Sequence, residues 1–197
     1  MTTLTGKEFN EKYPNTEFYK LLTSDCKHYD FTYQHGLNVD PIPFNPTSKC
    51  LAGGLYFTEL DMLSYWIEEL KYIYIAKVTI PPEARIYVEA KSFKADQFVL
   101  DLNNKVLIKD FYIWENEEFC KIAVTQNVFA LRYVKVQTDE ICKLAVSKNG
   151  YALEYVINQT DEICKLAVST NGDALEYVIN QTDEICKLAF SQSERAL

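Results

Sequence analysis

The chain reads as an α+β N-terminal domain, residues 1–112, followed by an all-α solenoid of short helix-turn-helix repeats, residues 113–197. Three observations predict this. A 22-residue period runs through the C-terminal part. The N-terminal part holds all six prolines, ten of the fourteen tyrosines and runs of β-branched and aromatic residues. A hydrophobic content of 48% over 197 residues is enough for packed cores.

The period is an internal duplication. Residues 137–158 read QTDEICKLAVSKNGYALEYVIN, and residues 159–180 repeat them with Thr170 in place of Lys148 and Asp173 in place of Tyr151. A diverged copy covers 115–136, and a fourth begins at Gln181. In each unit Thr138, Thr160 or Thr182 is an N-cap followed by Asp-Glu, whose charges suit the positive end of a helix dipole. Ile141, Cys142, Leu144, Ala145 and Val146 then form an apolar stripe at spacings of three and four, which predicts helix A. Asn149-Gly150 and Asn171-Gly172 are expected to end it with a left-handed residue, and a second helix is expected from Ala152 to Ile157. Neither helix reaches the roughly 12–15 residues at which an isolated helix becomes marginally stable, so stability must come from stacking.

The N-terminal elements follow a different pattern. Tyr72 to Ile80 and Arg85 to Val88 are rich in β-branched and aromatic residues and predict strands, separated by Pro81-Pro82. Gln97 to Leu102 and Lys105 to Ile108 flank Asn103-Asn104 and predict a hairpin. Leu60, Leu63, Trp66, Ile67 and Leu70 share helical spacing, so a helix is expected over residues 58–70.

Charge narrows the function classes. The formal net charge is −8, with twelve basic against fifteen acidic residues in 1–112 and eight against thirteen in the rest. Such a balance opposes nucleic-acid and anionic-membrane binding. The first residues lack the basic-then-apolar order of a signal peptide, and Lys77 interrupts the most apolar stretch. An intracellular, non-secreted protein is expected. Cys120, Cys142, Cys164 and Cys186 recur every 22 residues inside apolar runs, which predicts reduced core thiols rather than a disulfide framework. The sequons at Asn158 and Asn180 are then products of the repeat.

The repeat core, Thr-Asp-Glu-Ile-Cys-Lys-Leu-Ala-Val with Asn-Gly and Ala-Leu-Glu-Tyr-Val, resembles modules of giant-virus proteins of the mimivirus type that are labelled ankyrin-like. A true ankyrin repeat has about 33 residues and a Thr-Pro-Leu-His signature, both missing here. Phe31-Thr32-Tyr33-Gln34-His35-Gly36-Leu37-Asn38 and Cys50-Leu51-Ala52-Gly53-Gly54-Leu55-Tyr56-Phe57-Thr58-Glu59 resemble an uncharacterised domain shared with bacteria and their viruses. The resemblance implies a large-DNA-virus origin and a role in host interaction, in the host cytoplasm or the virion, and it supplies no catalytic residue.

Two classes of site are in contention. The acidic ladders Asp139-Glu140, Asp161-Glu162 and Asp183-Glu184, with Glu154 and Glu176, suit a basic protein partner, or else serve as solvated helix starts. The order Gly54-Leu55-Tyr56-Phe57, a helix with Tyr65-Trp66 and then a strand is similar to the ADP-ribosyltransferase superfamily. That similarity implies NAD as cofactor and casts His35, Tyr56 or Tyr65, and Glu89 as candidate catalytic residues. Without it no cofactor is expected. Cys26, His28, His35 and Cys50 are zinc-ligand types, but C-x-H-x6-H-x14-C matches no standard finger, so no metal site is expected. A Cys-His nucleophile pair would need an orienting group and an oxyanion hole. Gly53-Gly54 lacks the Lys-Ser/Thr of a phosphate loop and reads as a point of close backbone packing. The fourth helix keeps the interior stripe Ile185, Cys186, Leu188, Ala189, with Ser191 to Arg195 as a turn. End-to-end contact between chains through residues 181–197, or fraying there, is therefore expected.

Overall fold

The first helix starts at Thr5 because of a reciprocal cap. Thr5 Oγ1 accepts from the Glu8 N–H at 3.3 Å, and the Glu8 carboxylate accepts from the Thr5 N–H at 2.8 Å. The computed structural model describes residues 3–28, 30–47, 51–67, 72–90 and 92–193. It divides into two units, Met1–Phe111 and Tyr112–Leu197.

The first unit contains β1 (Thr3–Thr5), α1 (Gly6–Lys12), β2 (Phe18–Leu22), β3 (Lys27–His28), β4 (Phe31–Thr32), β5 (Gly36–Val39) and β6 (Leu55–Glu59). A 3-10 turn (Leu60–Met62) leads into α2 (Leu63–Trp66), then β7 (Tyr74–Thr79), β8 (Arg85–Val88), β9 (Phe93–Ala95), β10 (Gln97–Leu100) and β11 (Val106–Leu107). The main sheet runs β1-β8-β9-β6-β2-β7-β10-β5, with β11 on β7 and β3 paired separately with β4. It bends back on itself. β6 pairs with β9 through Leu55–Phe57 and with β2 through Thr58 and Glu59, while β9 and β10 follow one another across Asp96. Asp96 fixes that bend: its N–H donates to Arg85 O at 3.1 Å, and its carboxylate accepts from Arg85 N–H at 2.9 Å and Nε at 2.7 Å. Inside lie Phe9, Phe18, Phe57, Phe93 and Phe98, with Phe9 and Phe18 centroids 4.9 Å apart and Phe57 and Phe98 5.8 Å apart. These tilted and edge-on rings fill a volume that aliphatic chains would otherwise need to fill.

Two local expectations change here. β10 and β11 do not form a hairpin; both pair with β7, β10 at Val78–Thr79 and β11 at Tyr74–Ile75. Asp101 diverts the chain between them by accepting from Asn104 Nδ2 at 2.8 Å. The helix expected over 58–70 is shorter, because Thr58 and Glu59 are still strand paired with β2; its expected end, Leu70, lies outside the described residues.

The second unit opens with a 3-10 turn (Tyr112–Glu115). It continues with α3 (Glu117–Gln126), α4 (Asp139–Lys148), α5 (Asp161–Thr170) and α6 (Asp183–Ser193), the first three each followed by a 3-10 segment: Val128–Tyr133, Gly150–Tyr155 and Gly172–Tyr177. The threonine caps are present, with Oγ1 of Thr138, Thr160 and Thr182 accepting from Ile141, Ile163 and Ile185. The second half of each repeat is 3-10 rather than α-helical, and Asn149 explains why. Asn149 is extended (φ −152°) rather than left-handed; its N–H donates to Ala145 O at 3.1 Å and its Oδ1 accepts from Tyr151 N–H at 3.1 Å. One residue closes α4 and caps the next element at once, leaving six residues for a tight turn. Gly150 is required by proximity, since a Cβ there would lie 2.5 Å from Ala167 O in the next repeat. Ser191 to Ser193 continue α6 instead of forming the expected turn, and residues 194–197 lie outside the described set.

Candidate functional site

The repeat surface is built by side chains that recur at fixed intervals. Gln137 Nε2 donates to Leu131 O (3.1 Å) and Tyr155 O (2.8 Å), and its Oε1 accepts from the Ile157 N–H (2.9 Å). Gln159 does the same with Leu153 O, Tyr177 O and the Ile179 N–H. Each glutamine thus stitches one repeat's 3-10 segment to the next, satisfying backbone groups that a short turn leaves open. Cys142 and Cys164 point their thiols at the same glutamine oxygens. Burial is the main cause that pushes the Cys120 and Cys142 thiols up to about 11 and the Cys164 thiol upward. Cys186 is only partly buried, a departure from the uniform burial expected of the four, because no further repeat packs on it among the described residues.

The acidic ladder is half of a mixed ladder. Glu140, Glu162 and Glu184 pair with Lys121, Lys143 and Lys165 of the preceding repeat at 2.8, 2.8 and 2.6 Å. These bonds raise the lysine pKa values. The exposed acids Asp139, Asp161 and Asp183 stand beside them, and Glu154 and Glu176 are exposed on the 3-10 segments.

Sequence reasoning missed the aromatic edge of those segments. Tyr133, Tyr155 and Tyr177 recur at 22-residue spacing and are half-buried, with Phe129 and Tyr151 beside them. Phe129 meets Tyr155 edge-on at 6.0 Å, and Tyr151 meets Tyr177 at 6.1 Å. The Arg132 guanidinium lies 5.0 Å from the Tyr155 centroid, 5.6 Å from Tyr133 and 5.7 Å from Phe129. Burial pushes the Tyr155 phenol up, aided by the adjoining Glu154. The tyrosine period was the available signal.

In the first unit the candidate residues separate. Tyr56 lies opposite Lys94, and Lys94 opposite Tyr87, on β6, β9 and β8. Lys94 is 0% exposed; its Nζ donates to Asn45 O and Leu51 O at 2.9 Å each and sits 5.3 Å from the Tyr56 centroid. Gly54 (φ 142°) lets the chain pass over it, because a Cβ there would lie 2.6 Å from Lys94 Cγ. This is the close packing expected of Gly53-Gly54. Glu89 closes the β8–β9 turn, its Oε2 accepting from Ser92 Oγ at 3.1 Å. Tyr65 is half-buried on α2. His35 is exposed before β5, with Nε2 3.3 Å from Asn103 Nδ2 and Nδ1 3.8 Å from Asp101. From Lys94 to Leu100, at the His35 end of the bent β9–β10 path, is roughly 20 Å of strand. Tyr56 and Glu89 therefore flank β9, while His35 stands at the far end of that path. Among the described residues no group of three or more His, Cys, Asp or Glu is placed to hold a metal ion. Cys50 lies outside them. No helix among the described residues is long and apolar enough to cross a membrane.

The signature of a domain of unknown function, DUF4116, matches residues 116–160 and again 138–182. The chain is similar to two proteins of Acanthamoeba polyphaga mimivirus that carry the labels ankyrin repeat protein R229 and ankyrin repeat protein R868. Identity with the first is 43% over 56 residues, covering 28% of this chain and 17% of that protein. Identity with the second is 30% over 103 residues, half of each chain. The chain thus spans about a sixth of one relative and half of the other. The resemblance to giant-virus, ankyrin-labelled repeat proteins holds. No solved structure matches the chain.

Proposed function

We propose that this chain is a non-enzymatic interaction protein of a large DNA virus, acting on host or viral proteins in the host cytoplasm or the virion. The repeat array presents the binding face, and the first unit is a second recognition module. One observation carries the reading. The array uses its threonine and asparagine side chains for capping and its glutamine and paired lysine-glutamate side chains for stacking, yet keeps half-buried Phe129, Tyr133 and Tyr155 around Arg132, with Tyr151 and Tyr177 paired in the following layers. Tyrosine and arginine are the residue types that dominate protein-binding hot spots, and stacked repeats form extended binding surfaces. Glu154 and Glu176 adjoin Tyr155 and Tyr177, and with the exposed Asp139, Asp161 and Asp183 they give the array a negative surface, which favours a basic partner. The relatives' ankyrin labels agree with a protein-binding role. The test is affinity capture from an amoebal lysate with the full chain and with Arg132→Ala and Tyr155→Ala variants whose folding is checked by circular dichroism. Specific capture that both variants lose is the expected result. Capture that both variants retain would move the binding face elsewhere.

A further inference from the structure

The 3-10 segments of the array share one backbone and differ at a charged position. Val128–Tyr133, Gly150–Tyr155 and Gly172–Tyr177 read VFALRY, GYALEY and GDALEY, so Arg132 stands where the next two layers carry Glu154 and Glu176. The same cap sets each segment. Asn127, Asn149 and Asn171 accept through Oδ1 from the N–H two residues on, at 3.0, 3.1 and 3.0 Å. A place on one layer therefore has a counterpart 22 residues away with the same backbone around it.

Arg132 shows what that place holds. The side chain is half-buried, with its guanidinium 5.6 Å from the Tyr133 centroid in its own layer, 5.0 Å from Tyr155 in the next and 5.7 Å from Phe129. Its Nε donates to Phe129 O at 2.8 Å. One layer on, every wall recurs: Tyr155 and Tyr177 stand for Tyr133 and Tyr155, and Tyr151 stands for Phe129. The edge-on contact recurs as well, 6.0 Å and 89° for Phe129 with Tyr155, and 6.1 Å and 87° for Tyr151 with Tyr177. Tyr151 is further held by its hydroxyl, which donates to Asp173 at 3.3 Å. The cation does not recur. Glu154 is exposed, and among the described residues no lysine or arginine stands over Tyr151 or Tyr177 or pairs with Glu154 or Glu176. The Arg132 frame uses nothing beyond the layer of Tyr155, so the second frame is complete at Tyr177.

Charge follows the same substitution. Glu176 raises the Tyr177 phenol, with burial and Glu154 adding to it, and burial followed by Glu154 raises that of Tyr155. Glu154 thus acts on both rings. We propose that Tyr151, Tyr155 and Tyr177 frame a site for an arginine side chain of a protein partner, whose guanidinium takes the place that Arg132 fills one layer earlier and pairs with Glu154. A guanidinium is planar, stacks on aromatic rings and offers a carboxylate two parallel N–H donors; an ammonium lacks that geometry. The site rests on the reading of the array as a protein-binding face and specifies the chemistry of that face.

The experiment is an NMR titration of the full chain with acetyl-glycyl-arginyl-glycine amide, and with counterparts carrying lysine or the neutral, isosteric citrulline. The expected result is saturable shifts of the Tyr151, Tyr155 and Tyr177 resonances with the arginine peptide, weaker ones with lysine and none with citrulline. Glu154→Arg should fill the frame from within, as Arg132 does, and weaken binding about tenfold or more. Arg132→Glu should open the first frame and add a second equivalent of bound peptide. Circular dichroism checks each variant; should Glu154→Arg fail to fold, Glu154→Gln replaces it and should weaken binding severalfold. No shifts at these tyrosines, equal binding of the citrulline peptide, undiminished binding by the Glu154 variant, or no added site in Arg132→Glu would each overturn the proposal. Lysate capture that Tyr155→Ala abolishes and Glu154→Arg leaves intact would keep the protein-binding face and remove the arginine site.

Discussion

The first unit and the repeat unit solve the same stability problem in opposite ways. In Met1–Phe111 the core is assembled from positions far apart in sequence, as when Phe18 meets Val78 and Phe57 meets Phe93 across strand pairs, and the sheet closes only through the bend at Asp96. In Tyr112–Leu197 each bond joins residues within about one repeat: six, 18 or 20 apart for the glutamines, 19 for the ion pairs. The difference teaches where polar groups are safe. The repeats satisfy theirs with near neighbours, one layer at a time. The closed sheet of the first unit instead buries two lysines, and treats them differently. Lys94 is anchored by two carbonyls on the sheet's loop-covered face. Lys20, 5% exposed, has the alternation of the core residues Phe18 and Leu22, and its amine lies 5.1 Å from the centre of the Tyr33 ring.

Lys20 provides the largest expected effect. Burial lowers its amine from 10.5 to about 7. The folded state therefore sheds a proton that the unfolded chain keeps, so stability rises as pH goes from about 7 to 10.5 and the penalty is complete below 7. At neutral pH the cost is on the order of 4 kcal/mol. Lys20→Met should raise the melting temperature of the first unit at pH 7 and remove most of its gain between pH 7 and 9, while the repeat transition stays in place. Equal shifts of both transitions would break the comparison.

The second effect contrasts one residue type at two places. Gln159→Leu leaves Tyr177 O and the Ile179 N–H without their partner and should cost about 2–3 kcal/mol in chemical denaturation. Gln181→Leu removes one bond to Leu175 O and should cost about 1 kcal/mol or less. Equal costs would mean that the inter-repeat bonds carry no stability.

How much of this was legible depends on the same contrast. The period, the threonine caps, the apolar stripe and the cysteine positions are local and repeated, so sequence alone placed α4, α5 and most of α6. The 3-10 form of the second half was not legible, because it depends on Asn149 serving two elements and on Ala167 O approaching Gly150 from the next layer. In the first unit Arg85–Val88 was readable from its β-branched run. The pairing of both β10 and β11 with β7 was not, since register across a closed sheet is set by distant partners. Tyr56 and Glu89 flank one strand and His35 stands at the other end of the bent path, and no local sequence pattern sets either placement. The aromatic line around Arg132 was visible as a period in tyrosine, and its packing depends on contacts between layers.

Thiol labelling sharpens the repeat side further. Cys186 should react with a maleimide well before Cys120, Cys142 and Cys164, because those three are buried and burial also raises their thiols. Simultaneous reaction would show that the layers open together. The smallest effect is expected from Lys143→Ala, which breaks one exposed pair with Glu162 and should move the melting temperature barely beyond error.

Native-state hydrogen exchange on the full chain tests most directly the claim that one unit holds together as a whole and the other layer by layer. The account predicts that amides of β2, β6, β7, β9 and β10 share one opening free energy, while protection in the repeats falls in 22-residue steps from α4 toward α6, with residues 181–193 lowest. A single opening free energy across α3 to α6, or stepwise opening among the strands of the first unit, would contradict it.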